Sequence, residues 1–222
     1  MTLSLLKLLK SFFTPQNFSV KRSICGKNNS IAFNSASLKN VSFKINGDNN
    51  TIKIKEKAKL KNVSFKIKGN NHKIIIGNGV RFNRGGLIWF EDENCTLTID
   101  ENSTFEDVHL AVTEPNSSII IGKECMFAYD IDVRTGDSHS IISSETGERL
   151  NYAEDVCIGN HVWVAAHCKI LKGSKIGDDS VIATGSIVTR KFNDKNVILG
   201  GSPAKIIKEK INWSRERVNK SF

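Results

Sequence analysis

Apolar residues recur at every sixth position through the C-terminal half of the chain. These positions are Ile158, Val164, Ile170, Ile176, Ile182 and Val188. Four positions past each of the first five stands a residue small enough for a corner, namely Val162, Cys168, Ser174, Ser180 and Ser186. Six residues supply one short strand and one turn, and three such units close a triangular coil with its aliphatic side chains inside. The pattern therefore predicts an all-β solenoid whose stacked parallel coils bury a continuous ladder of isoleucine and valine.

A longer period, of about 22 residues, precedes this region. KNVSFKINGDNNTIKIK, which starts at Lys39, reappears as KNVSFKIKGNNHKIIIG from Lys61, and ICGKNNSIAF from Ile24 is a weaker copy. Apolar and polar residues alternate between turns of glycine, asparagine and aspartate, a pattern typical of short strands. We therefore expect the same coils, with slacker turns, so that the solenoid extends over residues 21–200.

Two segments interrupt or end the repeat. Residues 142–155, ISSETGERLNYAED, are too polar and too long for a turn and predict a loop extruded from the coils. After Arg190 the repeat stops, and a Gly-Gly-Ser-Pro turn leads into AKIIKEKINWSRERV. This sequence predicts a C-terminal turn and basic helix over residues 201–222, with Ile206, Ile207 and Ile211 facing the prism.

The first residues, MTLSLLKLLKSFF, predict a short helix with a broad apolar face within residues 1–20. The apolar run is too short to span a bilayer and is not followed by a small-residue cleavage site, so we do not expect a signal peptide. Two interpretations stay open. The helix packs on the protein or on another subunit, or it makes peripheral membrane contact through residues 2–13.

The net charge of +9 is distributed unevenly. Between Val41 and Arg81 there are ten lysine or arginine residues and two acidic ones, so this stretch carries +8 of the total. In TIKIKEKAKLK the lysines alternate with apolar residues, as in a half-buried strand with a charged outer face. An anionic partner, either an acidic polymer or nucleic acid, would explain such a stripe, and so would solubility and protection of strand edges.

The five cysteines are scattered, odd in number and without a CxxC pair, which indicates reduced thiols in the cytoplasm. We expect Cys157 and Cys168 to be core residues rather than nucleophiles. An apolar content of 39% argues against a disordered or membrane-spanning chain.

His139 is the candidate for acid–base chemistry, because it stands in the polar run DSHSI just before the predicted loop. An imidazole titrates near neutral pH and suits a general base, although a lone histidine among polar residues is usually only solvated. Asp137 either orients the imidazole or caps the turn. His161 and His167 lie six residues apart, hence on different edges of the prism, and with His72 and His109 we interpret them as surface residues. No metal site is expected, because zinc would need three converging histidines.

Several motifs resemble those of the hexapeptide-repeat O-acetyltransferases, which include the maltose and galactoside acetyltransferases. They are GDSHSI, GERLN, DVCIGNHVW, ILKG and GSPAKIIKEKINW. The chain is most similar to bacterial capsule O-acetyltransferases that act on sialic-acid-containing polysaccharide. The resemblance implies a left-handed parallel β-helix and a homotrimer with active sites between neighbouring prisms.

The same resemblance implies site residues. In that family the base is a histidine 24 residues before a tryptophan, a spacing that His139 and Trp163 share. His139 is then the base and Trp163 the second active-site residue, a structural corner residue being the alternative for Trp163. The family's acetyl-CoA contacts correspond to Ala166, Thr184, Thr189, Arg190, Lys205 and Lys208.

The sequence thus predicts a cytoplasmic, acetyl-CoA-dependent O-acetyltransferase, either free or peripheral at the bacterial inner membrane. Its expected acceptor is a sialic-acid-containing capsular polysaccharide, with no nucleic acid partner. A neutral sugar of another surface polysaccharide, or a sugar nucleotide, is the nearer alternative. Two other classes remain. One is a hexapeptide metalloenzyme resembling carbonic anhydrases, and the other is a non-enzymatic solenoid that binds polyanions.

Overall fold

In the computed structural model, which describes residues 18–33 and 35–219, the chain winds into stacked coils of short parallel strands. Each coil contributes to three flat faces, which we call faces 1, 2 and 3. The predicted parallel solenoid is confirmed. The apolar segment for which an N-terminal helix was predicted lies outside the described residues. The described chain begins at Phe18, which is also the first residue of the first strand. Within the described ranges no helix is long and apolar enough to cross a membrane.

The strands of each face pair in parallel from one coil to the next. Face 1 comprises β5 (Lys59–Lys61), β12 (Met126–Phe127), β15 (Trp163–Val164), β18 (Val181–Ile182) and β21 (Ile198–Gly201). Face 2 comprises β1 (Phe18–Cys25), β6 (Val63–Lys68), β13 (Ile131–Arg134), β16 (Lys169–Ile170) and β19 (Ile187–Val188). Three long strands bend around the shared edge and join both faces: β3 (Ser37–Asn46), β8 (Arg81–Phe90) and β10 (Thr104–Val112).

Face 3 is a separate sheet of eight strands. It comprises β2 (Ser30–Ala32), β4 (Thr51–Ile54), β7 (Lys73–Ile76), β9 (Thr96–Ile99), β11 (Ser118–Ile121), β14 (Val156–Ile158), β17 (Lys175–Ile176) and β20 (Lys191–Phe192). Because side chains alternate across each strand, every second residue points into the prism and the others cover its surface.

The interior is a continuous apolar column. All six aliphatic residues of the hexapeptide period are at most 2% exposed, and the five small residues at the corners are buried as well. In the earlier coils phenylalanine takes the inward positions, with Phe82, Phe105 and Phe127 stacked at centroid distances of 4.6 and 4.7 Å. Identical side chains stack in register because each coil repeats the one below.

Asparagines make the corners of the early coils, which explains their abundance there. Those at one edge have positive φ angles between 55° and 65°: Asn28, Asn49, Asn71, Asn94 and Asn116. The left-handed conformation is unfavourable for most residues, and asparagine adopts it more readily than other side chains except glycine. Each coil has one such corner, so successive corner asparagines are about 22 residues apart, which is the period seen in the sequence.

The interpretation of His72 as a surface residue is wrong, because its side chain is only 1% exposed. It stands on the inner side of the asparagine corner. Its Nδ1 accepts a hydrogen bond from the backbone N–H of Cys95 at 3.2 Å, and its Nε2 lies 3.2 Å from the carbonyl oxygen of Lys68. Burial lowers the pKa of His72, so the neutral ring with its proton on Nε2 satisfies both partners.

Residues 142–155, for which the sequence predicts an extruded loop, lie in the longer segment between β13 and β14. The chain leaves the coil after β13 and returns at β14, and between them Ile142 and Arg149 form a single antiparallel bridge. Apolar residues of this loop, such as Leu150 and Tyr152, are more than 60% exposed.

The predicted C-terminal helix is wrong. Residues Ala204–Lys208 form β22, which turns back at Ser202 and Pro203 and pairs antiparallel with β21. Of the three isoleucines assigned to a helix face, Ile206 packs against the core, Ile207 is 62% exposed and Ile211 is half-buried. The last coil leaves the backbone N–H and C=O groups of β21 exposed at the edge of the sheet. The β-branched pair Ile206 and Ile207 favours a strand, and β22 hydrogen-bonds to this edge. Residues 209–219 follow the surface without helical structure.

Candidate active site

His139 lies where the chain leaves the solenoid after β13, at the edge between faces 2 and 3. Its side chain is exposed, and the imidazole has no hydrogen-bond partner among the described residues. Its backbone is fixed, because Nδ2 of Asn151 donates to the carbonyl oxygen of His139 at 2.8 Å. The ring is therefore accessible to a ligand while its attachment point is held in place.

Asn151 anchors the whole turn that carries the histidine. Its side chain is buried within the loop, at 7% exposure. Besides the bond to His139, Nδ2 donates to Oδ2 of Asp137 at 2.9 Å, and Oδ1 accepts from the backbone N–H of Ile141 at 2.7 Å. One amide thus bonds to residues before, at and after the histidine, which rigidifies this turn.

The carboxylate of Asp137 positions the turn and does not contact the imidazole. It accepts a hydrogen bond from Nζ of Lys172 at 2.6 Å as well as the bond from Asn151. Burial on its own would raise the pKa of Asp137, but these two donors outweigh it and lower the pKa. Asp137 is therefore an ionised tie between the loop and the coil that follows it. Of the two roles left open by the sequence, the structure favours the structural one.

A second anchor holds the returning part of the loop. Nη2 of Arg149 contacts Oε1 of Glu114 at 2.6 Å and the carbonyl oxygen of Asn151 at 3.1 Å. Glu114 also accepts from the backbone N–H of Ala153 at 3.3 Å. With Gly147 in the left-handed conformation at φ 73°, these contacts account for the GERLN motif. The motif was visible in the sequence, but the sequence did not show what each of its residues does.

Trp163 lies on the outer side of face 1 and is 37% exposed. Met126 and Val181 are its neighbours in register on the adjoining coils. The ring of Trp213 approaches it at a centroid distance of 6.0 Å with a tilt of 45°. Trp163 is thus a flat, partly open surface rather than a buried corner residue, which is the form a binding wall requires.

The C-terminal segment packs over the edge that precedes Trp163. Trp213 stacks on His161 with 4.2 Å between ring centroids and donates its Nε1–H to the carbonyl oxygen of His161 at 2.7 Å. Farther on, Arg215 donates to the carbonyl oxygen of Cys125 at 2.9 Å. His161 is half-buried under this segment, so its interpretation as a plain surface residue needs correction. The contribution of Trp213 was not deduced from the sequence.

The residues assigned to acetyl-CoA occupy two edges and the end of the solenoid. Ala166 and Thr184 lie on stacked corners between faces 1 and 2, where the N–H of Gly185 bonds to the carbonyl oxygen of Ala166 at 2.9 Å. Thr189 and Arg190 are exposed at the edge between faces 2 and 3, the edge that also carries His139. Lys205 and Lys208 are exposed on β22.

One chain does not bring the predicted pair together. His139 follows face 2, on a turn that the bond from Lys172 to Asp137 ties to the next coil, whereas Trp163 begins a strand of face 1, beyond face 3. No contact joins the two side chains among the described residues. The arrangement is therefore consistent with a site completed by residues from a second copy.

Metal-ligating side chains and cysteine thiols are the other groups that could carry chemistry. No group of three metal-ligating side chains occurs among the described residues. His161 and His167 stand at different corners, as the sequence predicted. Burial raises the pKa of the Cys125 thiol to about 11 and also raises those of Cys95 and Cys168, so these thiols are poor nucleophiles. Cys168 is buried as expected, while Cys157 is half-buried on face 3.

Comparison with known proteins identifies the family. Residues 156–190 match the model of the bacterial transferase hexapeptide (six repeats). The polysialic acid O-acetyltransferase of Neisseria meningitidis is 36% identical over 192 residues, which cover 86% of this chain and 88% of that protein. Among solved structures, the polysialic acid O-acetyltransferase OatWY superposes with a TM-score of 0.83 and 32% identity, covering 90% of this chain and 94% of that one.

A second structure agrees with the first. The polySia-specific acetyltransferase NeuO superposes with a TM-score of 0.77 and 28% identity over 90% of both chains. The similarity extends across the solenoid and includes the segments that surround His139 and Trp163. The chain is an enzyme and belongs to the hexapeptide-repeat O-acetyltransferases, in the group of the bacterial polysialic acid O-acetyltransferases.

Proposed function

We propose that this protein transfers an acetyl group from acetyl-CoA to a hydroxyl of a sialic-acid-containing capsular polysaccharide, with His139 as the general base. The observation that carries the mechanism is the exposed imidazole on a turn fixed by Asn151. The acceptor follows from the relatives, which are named polysialic acid O-acetyltransferases. The basic coils between Val41 and Arg81 agree with an anionic acceptor.

The reaction needs one base and one donor to the oxyanion. His139 takes the proton of the acceptor hydroxyl as its oxygen attacks the thioester carbonyl. The tetrahedral oxyanion accepts a hydrogen bond from a backbone N–H beside the site. When the intermediate collapses, the C–S bond breaks and the imidazolium returns its proton to the departing thiolate. Transfer is direct, so no acyl-enzyme forms.

The donor substrate is bound by main chain and by cations. Small residues at the corners, Ala166 and Thr184, leave their backbone groups accessible to the pantetheine arm of coenzyme A. Arg190, Lys205 and Lys208 are exposed cations at the C-terminal end of the solenoid, where they suit the phosphates of that molecule. Trp163 supplies the flat wall against which the thioester or the acceptor lies.

The complete site requires a second subunit. Because His139 and Trp163 stand at different ends of the prism surface, two chains side by side bring one residue from each into a shared cleft. A closed ring of three such interfaces makes a homotrimer with three equivalent sites. We place the enzyme in the cytoplasm, where acetyl-CoA is made.

The test is release of the coenzyme A thiol from acetyl-CoA with polysialic acid as acceptor. We expect acceptor-dependent release by the wild type and a loss of about 10³-fold in His139→Ala, within the range for removal of a general base. His72→Asn is the matched control, because it also removes an imidazole but one buried in an early coil. Release with neutral sugars alone would retain the mechanism and reject the acceptor. Folded wild type that releases no thiol with any sugar would reject both.

A further inference from the structure

Three lysines form a row on the outer side of face 2 that the proposed reaction does not use. Lys44 and Lys66 are neighbours in register on β3 and β6, and Lys68 lies two residues beyond Lys66. Together with Trp89 they line a groove of about 330 Å³. The side chains of all three lysines are exposed. Neighbouring strands of a sheet lie about 4.8 Å apart, so Lys44 and Lys66 stand side by side.

The positive charge of this groove is largely uncompensated. None of the three lysines belongs to an ion pair among the described residues, whose salt bridges lie on other coils. Glu91 is the single acidic residue that lines the groove. Like charges directly opposite each other on adjacent strands destabilise a sheet, and an anion bound in the groove would relieve this repulsion.

Trp89 gives the groove a flat apolar wall. It is the register neighbour of Lys66 on the next coil and is half-buried. On its far side the indole stacks on His109 at 5.8 Å with an interplanar angle of 12°. His109 in turn approaches Asp132 at 3.3 Å, and Asp132 pairs with Arg134. These contacts hold the indole in one orientation, as a platform for a sugar ring requires.

The groove lies on the face that leads to His139. Trp89 pairs with Ala111 and Ala111 pairs with Arg134, so the register column that holds Lys44 and Lys66 continues to the end of β13. Lys66 and Arg134 are separated by three strand spacings, so their backbones lie about 14 Å apart along the axis of the solenoid. The chain enters the turn of His139 directly after Arg134. A polymer held in the groove and extended along face 2 therefore reaches the proposed base.

We propose that the groove of Lys44, Lys66, Lys68 and Trp89 is a secondary binding site for the acidic glycan acceptor, distant from the reacting hydroxyl. The lysines bind carboxylates of successive sugar units, and the indole packs against a pyranose ring. The proposal rests on the proposed function and adds a site that selects long chains over short ones. Nucleic acid fits less well, because single-stranded chains stack successive bases on several exposed aromatic rings, whereas Trp89 is the one partly exposed ring of this groove and its neighbour Phe90 is fully buried.

The experiment compares a long and a short acceptor. We would measure kcat and KM with polysialic acid and with a sialic acid trimer for the wild type, for the triple variant K44Q/K66Q/K68Q and for Trp89→Ala. The control K53Q/K55Q/K73Q removes the same charge from face 3 of the same coils. We expect KM for the polymer to rise roughly tenfold in the groove variants only, as three weak surface ion pairs would give. The kcat and the kinetics with the sialic acid trimer should be unchanged.

Binding of end-labelled polysialic acid, followed by fluorescence anisotropy, separates this proposal from the proposed function. Binding that depends on the groove without any acetyl transfer would reject the function and keep the groove. Acetyl transfer with unchanged polymer KM in the groove variants would reject the groove and keep the function. The groove is also rejected if the face 3 control loses as much affinity, if the trimer KM rises equally, or if single-stranded DNA competes as well as polysialic acid.

Discussion

A single corner position shows how one residue's chemistry depends on its place in the coil. Asn50 and His72 are equivalent on successive coils, and each uses a side-chain acceptor to bind the backbone N–H of the next coil. The histidine must remain neutral to accept that bond, since a protonated ring has no acceptor. The buried imidazole is therefore a point where acid weakens the solenoid.

His72→Asn should remove part of the acid sensitivity of the fold. Burial lowers the pKa of His72 in the folded state below the ordinary value near 6.5 of the unfolded chain. The unfolded state thus binds more protons as the pH falls below about 6.5, and stability declines by about 1 kcal/mol per pH unit until the folded pKa is reached. Asparagine makes the same bond without titrating, as Asn50 does.

Thermal unfolding of the wild type and His72→Asn between pH 7.5 and pH 5 checks this expectation. The two melting temperatures should be similar at pH 7.5 and should diverge as the pH falls, with the wild type lower. His139→Asn is the control, because it removes an imidazole that is exposed and has no side-chain partner among the described residues. Parallel curves for wild type and His72→Asn would contradict the argument.

Asn151 should affect catalysis through His139, although it touches no reacting atom in the proposed mechanism. Asn151→Ala removes the three hydrogen bonds that fix the turn, and a displacement of about 1 Å of a catalytic group costs roughly 10²-fold in rate. We expect kcat to fall by about that factor while KM for acetyl-CoA stays unchanged. Steady-state kinetics at saturating acceptor measure both.

Ser143→Ala is the matched loop control for that substitution. Among the described residues, the side-chain oxygen of Ser143 accepts hydrogen bonds only from the backbone N–H groups of Glu145 and Thr146, at the tip of the same loop. It should leave kcat unchanged. Equal losses in the two variants would indicate that the loop as a whole, and not the turn of His139, limits the reaction.

At the scale of elements, the C-terminal segment is attached by Trp213 and by hydrogen bonds of Arg215 to earlier coils. Trp213→Ala removes the ring stacked on His161 and a hydrogen bond to its carbonyl oxygen, and we expect the attachment of residues 209–219 to weaken by about 2 kcal/mol. The open population then rises roughly thirtyfold, which increases tryptic cleavage in this basic segment by the same factor. Trp213→Phe keeps a ring but loses the donor and should give an intermediate rate. Unchanged cleavage of Trp213→Ala would show that other contacts hold the segment.

The elements that were predictable are those whose pattern repeats. The hexapeptide period gave the inward residues from Ile158 to Val188, because each position is constrained by the coil above and the coil below. The C-terminal strand β22 was not predictable in this way, since it occurs once. Its amphipathic isoleucines suited a helix locally, and only the open edge of β21 makes a strand more favourable. Local patterns do not contain that tertiary information.

The candidate site shows the same division. The spacing of His139 and Trp163 followed from a family resemblance, and the sequence suggested the extruded loop beside the histidine. Nothing in the sequence indicated that Asn151, Lys172 and Glu114 hold that loop, because their partners are 14, 35 and 35 positions away. Contacts between coils depend on the exact winding of the solenoid, which a linear pattern does not specify.

At the scale of the whole molecule, the separation of His139 and Trp163 leads to a test of assembly. If each site takes His139 from one subunit and Trp163 from the next, then neither His139→Ala nor Trp163→Ala homotrimers contain an intact site. Trimers formed from both variants contain some interfaces in which an intact histidine meets an intact tryptophan. With equal amounts and random mixing, about a quarter of all interfaces are intact.

Co-expression of the two variants with different affinity tags, followed by sequential purification on both tags, isolates the mixed trimers. Each mixed trimer of either composition has one intact interface of three, so its activity should be about a third of wild type. Both homotrimers, purified in the same way, should have only residual activity. Mixed trimers as inactive as the homotrimers would mean that each chain supplies both residues to its own site or that one variant disrupts its neighbour. Wild type mixed with His139→Ala separates these, since a disruptive variant lowers activity below the fraction of intact histidines.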